Sequence, residues 1–160
     1  MRRTLEIIGI AALAFMCWVT YGAVYGADRL PDRIATHFKL NGQPDGWGSP
    51  TILLLIPAIA LANYAGLTIV ARFPSMFNYP VRMTDENRAR LQAVALNMIV
   101  WIKVESVSLF AWIEWAIIGA AREGRLRLPA VLAAVCFAAI FATIAWYIVA
   151  MFRTARPEAG

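Results

Sequence analysis

Four long apolar runs, residues 5–26, 51–71, 91–121 and 128–152, divide the chain, and polar segments separate them. Each run meets the roughly 20 residues that a helix needs to cross about 30 Å of hydrocarbon at 1.5 Å per residue. Local signals mark the ends. Ser49-Pro50 offers a cap followed by proline at a first helical position, and Thr84-Asp85-Glu86 a cap and first-turn negative charge. Gly124 closes the third run, and Pro129 falls in the first turn of the fourth. The pattern predicts an all-α membrane protein, a single integral membrane domain over residues 1–160. Its four transmembrane helices are expected at about 5–26, 51–71, 85–121 and 128–152, with a hairpin-like extracytoplasmic loop over 27–50. Pro57 is expected to kink the second helix.

Composition agrees with that architecture. Hydrophobic residues make up 61% and charged residues 16%, against roughly 45–50% and about 25% in soluble domains. The net charge of +5 does not point to nucleic acid. Its arginines sit at the ends of apolar runs, where lipid headgroups attract them, and no basic face interleaved with exposed aromatics is present. Cys17 and Cys136 lie inside apolar runs and read as small hydrophobes. The first run follows Met1-Arg2-Arg3, is longer than a signal-peptide core and lacks a clean cleavage site, so an uncleaved helix is expected.

Orientation follows from Lys and Arg. Arg2, Arg3, Arg72, Arg82, Arg88, Arg90, Arg153 and Arg156 fall on one side; Arg29, Arg33, Lys39, Arg122, Arg125 and Arg127 fall on the other. Eight against six favours cytoplasmic termini in a bacterial inner membrane and places residues 30–49 outside. Gly22 and Gly26 form a G-x-x-x-G pair, expected to pack inside the bundle in preference to joining two copies, with a homo-oligomer as the alternative.

The third run carries charges that a membrane helix rarely tolerates. Lys103 and Glu105 fall near its midpoint and Glu114 about three turns further on. At 100° per residue, Lys103 and Glu114 lie about 20° apart, while Glu105 lies roughly 180° from both. Asn97, Trp101, Glu105, Ser108 and Trp112 share the second face. Such a helix belongs in the bundle interior. A structural account has Lys103 snorkelling and Glu105 protonated or bonded to Asn63. A functional one makes Asn97, Lys103, Glu105 and Glu114 a polar site or pathway for an ion, proton or small solute. An oligomer interface is the third account.

The outer segment is the most specific pattern in the chain. Ile34, Thr36 and Phe38 alternate with Ala35, His37 and Lys39 as in a short strand. Asn41-Gly42 is a turn pair, and Pro44-Asp45-Gly46 suggests a second turn before Trp47. Ile34, Phe38 and Trp47 are expected to cap the helix ends, leaving Asp32, His37 and Asp45 as polar candidates for binding. His37, Asp32 or Asp45 and Glu114 could converge on a metal, but one histidine with carboxylates is a poor zinc set and no H-E-x-x-H occurs. Nothing places Ser49 against His37 as a nucleophile, so no catalytic residue and no cofactor are expected.

Leu30-Pro31-Asp32, Ile34, His37-Phe38, Gly42 and Pro44-Asp45-Gly46-Trp47-Gly48-Ser49 together resemble the signature of the domain of unknown function 1648, also found at the start of SdpI-type immunity proteins. Ala35 stands where that signature usually has proline, and Pro50 where a lysine usually follows the serine. The resemblance spans roughly residues 5–72. It implies a membrane module with an immunity-like or signalling role, whose outer loop recognises a peptide, lipid or partner protein. The second, Arg/Thr-rich membrane region of the SdpI-type proteins has no counterpart in residues 73–160.

Overall fold

All four apolar runs fold as helices in the computed structural model, which describes residues 1–39, 41–124 and 130–156. In chain order the elements are α1 (Arg2–Tyr25), β1 (Ile34–Phe38), β2 (Pro44–Gly48), a 3₁₀ helix over Pro50–Leu54, α2 (Leu55–Val70), a 3₁₀ turn over Pro74–Met76, α3 (Arg88–Glu123) and α4 (Ala130–Thr154). The four helical spans are long and apolar enough to cross a membrane. Large apolar side chains such as Trp18, Phe141 and Trp146 are exposed around them, as suits a surface that faces hydrocarbon. The expectations placed on Arg125, Arg127, Leu128, Pro129 and the Phe38 side chain lie outside the described residues.

Helix α3 is the hub and packs against α1, α2 and α4. Helices α1 and α3 run parallel, because successive contacts advance along both: Leu5 with Val100 and Val104, Met16 with Ala111, then Ala23 and Val24 with Ile118. The charged faces of α3 therefore look inward, as their angular spacing requires.

Several boundaries differ from expectation for identifiable reasons. Helix α3 is regular from Arg88, three residues after the expected start, and the turn over residues 85–87 that leads into it is opened by Thr84 as expected, with Thr84 and Asn87 capping each other. The Asn87 side chain accepts from the Thr84 N–H at 2.8 Å, and the Thr84 hydroxyl accepts from the Asn87 N–H at 3.3 Å. Ser49 does accept from the Thr51 N–H, but the cap opens a 3₁₀ helix before α2. Pro57 consequently sits in the first turn of α2, where a missing N–H leaves no carbonyl stranded and gives no reason for a kink. Helix α3 ends at Gly124, whose φ of 69° is the left-handed conformation glycine adopts without strain. In the connection before α3, Tyr79 donates to the Pro74 carbonyl at 2.8 Å, and burial pushes its phenol up from the usual range.

Candidate functional site

The segment between α1 and α2 is an antiparallel hairpin of β1 and β2, pairing Ile34 with Gly48, Ala35 with Trp47, His37 with Gly46 and Phe38 with Pro44. Asn41-Gly42 makes its turn. Gly42 has φ of 79°, and the Asn41 side chain accepts from the Gln43 N–H at 3.1 Å. Pro44-Asp45-Gly46 is not a second turn but part of β2, since register shifts on either side of His37 absorb the irregularity that the glycine and proline suggest.

One side of the hairpin is seated and the other is displayed. Ile34 is buried with Ala23, Val24, Leu30, Leu53 and Ile118, tying the hairpin to α1, α3 and the start of the second span. Trp47, expected to cap the helices, is 55% exposed, at one of the outward-facing alternate positions of β2. His37 Nδ1 contacts Asp45 Oδ1 across the strands, an orientation that a carboxylate imposes on an imidazole. Gly46 makes room for this, since a Cβ there would lie 2.9 Å from His37 Cβ. Asp32 is exposed and 3.9 Å from Arg29. Ser49 is occupied as the cap.

The metal arrangement does not form. Glu114 is fully buried between α1 and α3, where the Thr20 hydroxyl donates to its Oε1 at 2.7 Å. It is thus spent on a helix contact and does not join His37. Among the described residues no group of three His, Cys, Asp or Glu side chains could hold a metal ion.

The intramembrane polar residues instead form separate ties between neighbouring helices. Lys103 Nζ donates to Glu6 Oε1 at 2.6 Å and to Thr68 Oγ1 at 3.1 Å, and lies 4.4 Å from the Tyr64 ring centroid. Tyr64 donates to the second Glu6 oxygen at 2.5 Å. Gly9 lets that ring approach, for a Cβ there would sit 3.2 Å from Tyr64 Cε2. Lys103 therefore neither snorkels nor sits at mid-depth: its partner is about one turn from the start of α1. Arg2 donates to Asn97 Oδ1 at 2.6 Å at the same end. Glu105 does not meet Asn63; it faces α4, accepting from Thr143 Oγ1 at 2.6 Å, while Asn63 accepts from Ser106 at 3.4 Å. Glu6, Thr20, Tyr64, Thr68 and Thr143 escaped sequence reasoning. Glu6 alone carried a signal, as an acid at the start of an apolar run.

Gly22 and Gly26 do not pack inside the bundle. A Cβ at Gly22 would meet nothing within 4 Å, and both glycines line an open groove with Trp18, Trp115 and Arg122.

No solved structure matches the chain. A protein of Archaeoglobus fulgidus described only as uncharacterized is 27% identical over 138 residues, covering 78% of this chain and 72% of its own length. Residues 12–61, from α1 through the hairpin into α2, match the family model described as Domain of unknown function (DUF1648), the family whose signature the outer segment resembles.

Proposed function

We propose that this protein is an integral membrane binding or signalling module whose hairpin recognises a peptide or protein partner. One observation carries the reading: the hairpin is anchored through Ile34 yet presents His37, at 74% side-chain exposure, and Trp47 away from the bundle. An indole beside an oriented imidazole offers both apolar area and hydrogen bonding, the combination that anchors protein contacts. The arginine distribution supports a cytoplasmic membrane with the termini inside and the hairpin outside. An immunity-like role against a secreted peptide is the narrowest form of this reading and draws on the family resemblance.

A solute, ion or proton pathway along α3 is less well supported. Lys103 and Glu114 turn to α1 and Glu105 turns to α4, so the three groups face different neighbours. A pathway needs such groups on one continuous surface.

Photocrosslinking in intact membranes tests the proposal. A photoreactive residue at Trp47 should trap a discrete protein adduct, and one at lipid-facing Ile52 should not. Adduct formation should fall with His37→Ala. Lipid adducts alone at position 47, or equal yields with and without His37, would overturn the reading.

A further inference from the structure

A pocket of about 410 Å³ lies between α3 and α4, lined by Trp101, Glu105, Ala142, Thr143, Trp146 and Tyr147. We propose that it binds an organic cation of quaternary-ammonium type, held by the Glu105 carboxylate and the surrounding aromatic rings.

The construction follows from helical spacing. Trp101 and Glu105 are one turn apart on α3, and Thr143 and Tyr147 one turn apart on α4, so each pair shares a face. The rings of Trp101, Trp146 and Tyr147 supply most of the walls. Thr143 holds Glu105 Oε1 at 2.6 Å, while the buried Glu105 Oε2 receives no hydrogen bond among the described residues. A carboxylate so placed inside a membrane helix calls for a countercharge. Lys103 cannot supply it, being on the opposite face and bound to Glu6. Arg2 directs its guanidinium to Asn97 and the Ala93 carbonyl, two or more helical turns before Glu105 on α3.

Ligand chemistry narrows from there. Anions are repelled, and a neutral guest brings no charge to balance the carboxylate. A divalent cation asks for several oxygen ligands, which this lining does not offer. A primary ammonium asks for three acceptors. A quaternary ammonium asks for none: ring faces and one negative charge satisfy it. The volume falls within the range of small-molecule sites, about 300–1,000 Å³. Trp146, 65% exposed on the lipid-facing side, makes the site accessible to an amphipathic cation arriving through the bilayer.

Calorimetric titration of tetrapropylammonium into the full chain tests this, in nanodiscs of phosphatidylethanolamine and phosphatidylglycerol with empty discs as the blank. These lipids contain no competing quaternary ammonium. Saturable binding is expected, at least tenfold weaker in Glu105→Gln and several-fold weaker in Trp146→Ala. Trp146 is largely exposed, so its removal keeps the fold testable should Glu105→Gln not assemble. No saturable heat with the wild-type chain overturns the proposal. So does unchanged affinity in either variant at wild-type thermal stability.

Discussion

Lys103 Nζ lies 2.6 Å from Glu6 Oε1, joining α1 to α3 at a point where the lysine side chain is 2% exposed and the glutamate 34%. Tyr64 and Thr68 bring α2 into the same tie. Removing one member of a buried pair strands the other, at a cost of about 3–5 kcal/mol. Glu6→Gln should therefore lower resistance to unfolding in mixed detergent micelles by that order, because it leaves the buried lysine without a countercharge. Lys103→Met should do less, because the Glu6 it leaves behind is partly open and keeps the Tyr64 hydroxyl. The double variant should recover part of the loss, and strictly additive losses would show that the pair is not coupled.

Thr20 and Glu114 make a simpler version of the same tie toward the hairpin end of α1. The Thr20 hydroxyl is the hydrogen-bond donor given to Glu114, whose second carboxylate oxygen has no partner among the described residues. Thr20→Val should cost about 1–3 kcal/mol, the penalty of an unsatisfied buried polar group. Adding Glu114→Met should restore much of that stability, since an apolar pair of similar volume needs no partner. A double variant weaker than Thr20→Val would instead give Glu114 a role beyond this contact, and the same unfolding assay reads both.

How much was legible depended on the kind of pattern. The opposition of Lys103 and Glu114 to Glu105 is fixed by helical geometry, and it forecast that α3 would serve neighbours on two sides: α1 and α2 on one, α4 on the other. The identity of those partners was not legible. Thr20, Thr68 and Thr143 look like ordinary membrane-helix residues until a carboxylate or ammonium is packed against them. The hairpin turn was readable from Asn41-Gly42, whereas β2 was not, because Pro44 and Gly46 carry strong turn signals that pairing with β1 overrides. The supposed meeting of His37 with Glu114 failed because depth along a helix does not determine whether a side chain points out of its end or into its flank.

Gly46 offers a test of the hairpin that leaves the helices alone. A Cβ there would come within 2.9 Å of His37 Cβ, closer than real side chains approach, and neither atom is the free end of a flexible chain. Gly46→Ala should spread the strands and part His37 from Asp45 at about 1–3 kcal/mol, the usual range for overpacking. Backbone amides of residues 34–48 should exchange hydrogen faster, while those in the middle of α3 should not change. Protection unaltered across the hairpin would contradict the register.

Gly22 asks whether two copies of the chain meet. Within one chain a methyl group at Gly22 touches nothing inside 4 Å, and alanine favours helix over glycine by about 0.5–1 kcal/mol. If the chain acts alone, Gly22→Ala should leave unfolding resistance unchanged or slightly raised, and Gly22→Leu should be tolerated at this open face. If a second copy packs its backbone against Gly22 and Gly26, both substitutions hold the helices apart, and leucine does so more strongly. Energy transfer between donor- and acceptor-labelled chains in liposomes separates these cases. For a monomeric chain, transfer in all three proteins should equal that expected from random encounters. Transfer above that level in the wild type, falling through Gly22→Ala to Gly22→Leu, would place a homo-oligomer contact on this face.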